Sequence, residues 1–120
     1  MNYLCLVYAD EKRLEEIDDR ECLACGDTMR ASGHYLGGAP LYPVSMATTL
    51  RVRDGKVAIT DGPFAETKEQ LTGFYMLEAA DLDEALKLAA TIPPARVGSI
   101  EVRPVRQLVP GKRGGKPEPQ

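Results

Sequence analysis

The sequence predicts an α+β fold in which two strand–helix–strand units share one antiparallel sheet. Three observations support this prediction. A strand and a capped helix open the chain, a second strand and capped helix follow after residue 69, and a two-residue hairpin turn lies between them. The 120 residues are enough for one domain, which we assign to residues 1–106. Pro, Gly and Lys dominate the end of the chain, so we expect a flexible C-terminal tail over residues 107–120.

Composition and charge exclude several functional classes. Hydrophobic residues make up 43% of the chain and charged residues 28%, which is typical of a globular domain. Fifteen Lys and Arg against 18 Asp and Glu give a net charge of −3, so we expect no nucleic-acid partner. No run approaches the roughly 18 apolar residues of a membrane helix, and the start lacks the pattern of a signal peptide. We therefore expect a cytoplasmic protein without a membrane partner.

The first half of the chain predicts one strand and one helix. Residues 2–8 are aliphatic and aromatic without a turn former, which indicates a buried strand. Asp18 followed by Glu21 forms a capping box, and Gly33 supplies the glycine that ends many helices. From residue 35 to residue 45, glycines and prolines dominate, so we expect an irregular connection there and no strand interior.

The clearest local signal is the pair Asp54-Gly55, which is favoured in type I′ hairpin turns because both residues need positive φ. The register that follows pairs Arg53 with Lys56, Val52 with Val57, Leu50 with Ile59 and Thr48 with Asp61. Apolar residues then share one face of the hairpin. Asp61 ends the second strand on that face.

The second half repeats the strand and helix. Residues 70–78 read as a strand, Asp81 to Glu84 as a second capping box, and Pro93-Pro94 as the stop of the helix. Residues 98–105 alternate apolar and charged side chains and give a last strand. Together these elements predict a ferredoxin-like split βαβ arrangement with both helices on one sheet face.

The other sheet face needs a cover as well. The predicted strands carry apolar residues on both sides, and two helices cover only one side. The sheet of a partner chain is the cover we expect, so the sequence predicts a homodimer.

Two residues are candidates for acid/base catalysis. Asp61 stands at a strand end on an apolar face, where a carboxylate next to a cavity can act as a general acid or base. The structural alternative is that Asp61 caps the Asp-Gly-Pro turn through the following amides. His34 is the sole histidine and a candidate partner in proton transfer; the alternative is that it caps the preceding helix.

Three further residues are candidates for substrate binding. Arg51 and Arg103 lie on polar strand faces, and a guanidinium matches a carboxylate bidentately; surface ion pairs with Glu78 or Glu101 are the alternative. Tyr75 lies on the face opposite its strand neighbours and can place a hydroxyl in a pocket, although packing is the commoner role.

Metal and cofactor sites are not indicated. Cys22 and Cys25 fall within a helix and have no second cysteine pair, so we interpret them as small buried apolar residues. The chain contains neither a phosphate-binding loop nor a dinucleotide glycine fingerprint, and we expect no cofactor and no metal.

Four motifs along the second half of the chain belong together: TDGPFAETKE at 60–69, GFY at 73–75, IPPAR at 92–96 and IEVRP at 100–104. The opening strand with Tyr8 and the segment ASGHY at 31–35 accompany them. This set resembles the YCII-related family in its DGPF-domain branch, from residue 1 to about residue 105.

The resemblance implies a ferredoxin-like subunit that forms a dimeric α+β barrel, in a superfamily with muconolactone isomerases, monooxygenases and chlorite-dismutase-like proteins. It also implies a His–Asp pair in catalysis and, for some members, an association with extracytoplasmic-function sigma factors. The histidine of that pattern lies in the first helix, where this sequence reads Glu21-Cys22-Leu23-Ala24-Cys25.

Two functions follow as hypotheses. The first is a cofactor-independent enzyme that performs acid/base chemistry on a small organic acid, with Asp61 as acid or base, His34 as its partner, and Arg51, Tyr75 or Arg103 holding the substrate. The second is a non-catalytic module that binds a small molecule or accompanies a sigma factor.

Overall fold

A computed structural model describes residues 1–111. The chain forms six strands and two α-helices within that range. In order they are β1 (Asn2–Ala9), α1 (Asp19–Ala31), β2 (Tyr35–Pro40), β3 (Thr48–Arg53), β4 (Lys56–Asp61), β5 (Gln70–Glu78), α2 (Leu82–Ala89) and β6 (Gly98–Pro104). Most of the expected tail lies outside the described residues. Among residues 1–111, no helix combines the length and apolar character needed to cross a membrane.

Four strands form the main sheet in the order β2-β5-β1-β6, and all neighbours are antiparallel. The two inner strands, β1 and β5, each open one strand–helix–strand unit. This is the ferredoxin-like split βαβ topology, so the predicted fold class is confirmed. The hairpin β3–β4 forms a separate two-stranded sheet.

Both helices pack on the same face of the main sheet. The core on this face joins strand residues to one residue from each helix: Cys5, Val7 and Leu77 with Met29 and Ala89. We call the opposite side the helix-free face. By register it consists of Asn2, Leu4, Leu6, Tyr8, Gly37, Ala39, Leu71, Phe74, Met76, Glu78, Ser99, Glu101 and Arg103. Its large apolar side chains on β1 are only half-buried.

The start of α1 is the predicted capping box. The carboxylate of Asp18 accepts a hydrogen bond from the Arg20 amide at 2.8 Å, and the Glu21 carboxylate accepts one from the Asp18 amide at 3.3 Å. Two of the amides without a partner inside the helix are thereby satisfied.

The end of α1 is a Schellman motif. Gly33 has a φ of +81°, its amide donates to Arg30 O at 3.1 Å, and the His34 amide donates to Met29 O at 2.9 Å. The predicted glycine stop is confirmed.

One expectation was wrong. Residues 35–45 begin with strand β2, which pairs with β5, and only the part after Pro40 is irregular. Glycine disguises this strand because it is rare in strand interiors. Its reason here is close approach: a Cβ at Gly38 would lie 2.7 Å from Phe74 O.

The hairpin has the predicted register at all four predicted pairs. Asp54 and Gly55 both have positive φ, at 52° and 74°, as the turn type requires. One side of the hairpin, which we call the hairpin apolar face, consists of Thr48, Leu50, Val52, Val57, Ile59 and Asp61. None of these side chains is buried.

The second unit also follows the sequence. The Asp81 carboxylate caps α2 by accepting from the Glu84 amide at 2.9 Å. The box closes one residue early, because Glu84 accepts from the Ala80 amide and not from that of Asp81. Strand β6 ends at Pro104 on the sheet edge, where the missing amide costs no ladder bond.

The close approach at Gly38 gives a matched test. Gly38→Ala should lower the free energy of unfolding by about 1–3 kcal/mol, because a backbone oxygen cannot move aside as a side chain can. Gly37→Ala meets nothing within 4 Å and should be neutral or slightly stabilising. Urea unfolding of both variants measures the difference. Equal effects would contradict the role of Gly38 in the pairing of β2 with β5.

Burial of Cys5 predicts a pH dependence. The thiol is fully buried, and burial raises its pKa from 9.0 to about 11. The unfolded chain then ionises first, so this contribution to stability is complete below pH 9 and is lost as the pH rises towards 11. Between pH 8.5 and 10.5, wild type should lose about 2 kcal/mol more stability than Cys5→Ala. Parallel losses in the two proteins would show that this thiol is not shielded.

Candidate functional site

A cleft of about 480 Å³ lies between α1 and the helix-covered face of the sheet. Most of its wall is apolar, from β1, the segment before α1, and the end of β2. A small set of side chains supplies its chemistry: Asp19, Cys22, Asp27, Arg30, Tyr35 and Tyr75. A concave apolar site with a few polar groups is the usual form of a small-molecule site.

Gly26 leaves space in the wall contributed by α1. It is buried, and the nearest atom to a Cβ built there would be Cε1 of Tyr35, at 4.0 Å. A larger residue at position 26 would therefore project towards Tyr35 and into the cleft. The sequence leaves this volume open by placing glycine on the inner face of the helix.

Tyr75 is the best-shielded polar group in the cleft. Its ring meets the Tyr35 ring edge to face, with centroids 6.3 Å apart. Burial raises the pKa of the Tyr75 hydroxyl well above its usual range, and nearby Cys25 and Cys22 add to the rise. The hydroxyl therefore stays protonated at neutral pH and can donate a hydrogen bond to a ligand oxygen.

Arg30 is the sole cation among the lining residues, and it already has partners. Its Nη1 donates to Asp27 Oδ1 at 2.8 Å, and its guanidinium lies over the Tyr35 ring, 4.6 Å from the centroid. Together with Asp19, the lining carries two carboxylates against one guanidinium. The charge of the cleft is therefore not positive.

The cysteines are free thiols. Cys22 lines the cleft, and burial raises its pKa, which makes it a poor nucleophile at neutral pH. Cys25 packs against the core with its Sγ 3.6 Å from Thr91 O. Residues 1–111 contain no group of three or more His, Cys, Asp or Glu side chains arranged to hold a metal.

Asp61 lies outside the cleft. It is the last residue of β4, on the hairpin apolar face opposite Thr48, and it is exposed. The following turn is closed by the backbone, where the Gly62 amide donates to Ala47 O at 2.8 Å. Among the described residues, the Asp61 carboxylate makes no hydrogen bond to that turn.

His34 is at the other end of the sheet from the base of the hairpin. Its Nδ1 lies 2.8 Å from Glu78 O and 3.9 Å from Glu84 Oε1. The His34 carbonyl also accepts a hydrogen bond from the Glu78 amide. The ring thus ties the end of α1 to the last residue of β5, and no hydrogen bond or ion pair within residues 1–111 joins it to Asp61.

The candidate arginines also lie outside the cleft lining. The Arg51 guanidinium lies over the Phe64 ring, 5.6 Å from its centroid. Arg103 Nε is 3.9 Å from Glu101 Oε2 on the helix-free face, which is the ion pair considered as the alternative to substrate binding. Of the five candidate residues, Tyr75 alone lines the cleft.

Sequence reasoning missed the residues that accompany Tyr75. Arg30, Asp27 and Tyr35 were not singled out, and Cys22 was considered only as a thiol. A signal was present, because positions 19, 22, 26 and 30 recur at spacings of three and four and so share one face of a helix. That this face borders a cleft depends on how the helix packs, which no local pattern contains.

A model of the YCII-related domain matches residues 1–109. The chain belongs to the YCII-related family. An uncharacterised protein of Rhizobium meliloti (strain 1021) is 40% identical over 121 residues, covering 93% of this chain and 98% of that protein. The family resemblance carried by the DGPF, IPPAR and neighbouring motifs is thereby confirmed.

A solved structure is also similar to this YCII-related chain. It is 5-chloro-2-hydroxyhydroquinone dehydrochlorinase (TftG) from Burkholderia phenoliruptrix AC1100, in complex with 2,5-dihydroxybenzoquinone. The match covers 88% of this chain and 94% of that one, with 17% identity and a TM-score of 0.49. A likeness this distant transfers neither substrate nor mechanism.

Proposed function

We propose that the cleft between α1 and the sheet binds a small, uncharged aromatic or enolisable molecule, and that the protein catalyses proton transfer on it without a cofactor. The observation that carries the proposal is the Tyr75 hydroxyl, held protonated at the apolar wall of the cleft.

The size and lining of the cleft support a small ligand. A volume of about 480 Å³ is within the range of roughly 300–1,000 Å³ that is usual for small-molecule sites. The aromatic rings of Tyr35 and Tyr75 offer edges and faces against which a planar molecule packs favourably.

The charges favour an uncharged ligand over the organic acid expected from the strand arginines. Arg51 and Arg103 are absent from the cleft lining, and Arg30 is already paired with Asp27. A ligand carboxylate would have to enter beside Asp19 and Asp27 with no free cation in the lining to receive it. A carbonyl or hydroxyl oxygen needs a donor only, and Tyr75 supplies one.

Proton transfer follows from the same groups. A neutral tyrosine hydroxyl stabilises negative charge that develops on a carbonyl oxygen when a neighbouring carbon loses its proton. The carboxylates of Asp19 and Asp27 are the candidate proton acceptors, and the Arg30 ion pair fixes the position of Asp27. This assignment replaces Asp61 and His34 as the catalytic pair, because neither lines the cleft.

A non-catalytic binding module is the second candidate. The Asp27 side chain is 76% exposed, and a carboxylate so well hydrated is a weak base. Binding alone requires only the apolar wall and Tyr75. A regulatory role beside a sigma factor would use the acidic surface of the chain, whose net charge is −3.

The homodimer expected from the sequence is part of the proposal. The large apolar side chains of the helix-free face are half-buried at most in the single chain, and a second copy would complete their burial.

One ligand separates these possibilities. 2-Tetralone is an uncharged aromatic ketone with exchangeable α-protons, and their replacement by deuterium in D₂O is followed by NMR. Wild type should accelerate the exchange. Tyr75→Phe should reduce the acceleration by roughly 10²-fold, as removal of an oxyanion donor does elsewhere. Gly26→Leu should abolish it by filling the cleft.

Ala31→Leu is the matched control, because it adds a larger side chain to an exposed position of the same helix outside the cleft lining. It should behave as wild type. If 2-tetralone raises the melting temperature of wild type without exchange, the binding module is favoured. Equal exchange in Gly26→Leu and wild type would contradict the cleft as the site.

A further inference from the structure

The β3–β4 hairpin is an unsupported element of the chain. Among the strands of residues 1–111, β3 and β4 pair only with each other. The four large side chains of the hairpin apolar face are each more than half exposed: Leu50 59%, Val52 52%, Val57 60% and Ile59 66%. An isolated two-stranded hairpin is at best marginally stable in water, so this one needs a cover.

The base of the hairpin is nevertheless anchored. The Val44 amide donates to the Glu11 carboxylate at 2.9 Å, and the Leu41 amide donates to Thr72 O at 2.9 Å. These bonds fix the connection between β2 and β3 beside the first residues of β5. The hairpin is therefore held at one end and uncovered along its length.

The two sides of the hairpin differ. Arg51 lies on the side away from the hairpin apolar face, and its guanidinium is covered by the Phe64 ring of the same chain. Thr49 on that side is only partly exposed and donates to Gly62 O at 2.9 Å. The loop after β4 thus covers the polar side and leaves the apolar side open.

The end of the chain does not supply the cover. Residues 112–120 read KRGGKPEPQ and contain no Leu, Ile, Val, Met or aromatic residue. They offer no apolar surface to bury against the hairpin.

A second copy of the chain does supply one. The helix-free face is the other uncovered apolar surface, with Leu4, Leu6 and Tyr8 on β1. When two surfaces on one chain complement each other, a two-fold axis satisfies both pairs at once, because each copy gives its hairpin and receives that of the other.

The number of residues agrees with a stable interface. The helix-free face has 13 residues by register: four from β1, four from β5, three from β6 and two from β2. Alone it falls below the roughly 20–30 residues per side of a standard interface. The six residues of the hairpin apolar face bring the total to 19, at the lower end of that range.

The charges are complementary as well. Asp61 ends the hairpin apolar face, and Arg103 lies on the β6 border of the helix-free face. Arg103 has only the distant Glu101 contact within its own chain, at 3.9 Å. Opposite charges at the borders of two apolar surfaces favour their association in one register.

We propose that the β3–β4 hairpin is an arm that packs its apolar face on the helix-free face of a second copy of this chain. This proposal rests on the homodimer of the proposed function and adds the element that forms it. It also gives Asp61 a role at a subunit interface.

The test is the oligomeric state, measured by sedimentation velocity over a range of concentrations. The variant Leu50→Asp/Ile59→Asp places two charges on the arm, outside the core. It should raise the dimer dissociation constant at least about tenfold. Leu86→Asp is the control, because Leu86 is an apolar residue of α2 that is 48% exposed and lies on neither surface. It should dimerise as wild type does.

A second measurement needs no variant. The amides of β3 and β4 should exchange with deuterium more slowly at high protein concentration than at low concentration, because the arm is covered only in the dimer. Concentration-dependent protection supports the arm even if the double variant fails to fold.

The outcomes separate the two proposals. If the double variant remains dimeric and hairpin protection is independent of concentration, the arm is overturned while the dimer stands. If wild type is monomeric at every concentration, both are overturned. If the double variant is monomeric and Leu86→Asp is dimeric, the arm is supported.

Discussion

The placement of both helices on one face of a sheet that is apolar on both faces is the constraint on which the rest of the structure depends. Cys5, Val7 and Leu77 on the covered side make the core with α1 and α2. On the other side, Leu4 and Leu6 remain half-buried. A sheet in this condition creates a cleft where a helix fits imperfectly on one side, and a docking surface on the other.

Signals that act within a few residues were predicted correctly from the sequence. Asp18 and Gly33 bound α1, and Asp54-Gly55 fixes the hairpin register, because caps and tight turns depend on local dihedral angles and nearby amides. Strand β2 was missed for the opposite reason. Gly38 is required by the backbone of β5, a neighbour 36 residues away in the sequence, and a local pattern contains no trace of it.

The candidate site shows the same limit. Tyr75 was found because strand alternation alone places it on the helix side. Asp61 and His34 were paired on chemical grounds, yet the chain places one on an exposed hairpin and the other beside Glu78. Arg30 was overlooked because only the packing of α1 gives it a cleft to line. Residue type identified possible chemistry, and tertiary contacts determined which residues share a site.

The measurement that tests the central claim most directly is an NMR titration of the ¹⁵N-labelled protein with benzamide, an uncharged aromatic molecule. Glycine amides serve as reporters of position: Gly26, Gly38 and Gly73 line the cleft, whereas Gly55 and Gly62 belong to the hairpin. The account predicts that the three cleft glycines shift with benzamide and shift less with benzoate, its anionic counterpart. Shifts confined to Gly55 and Gly62 would place binding beside Asp61 and contradict the account.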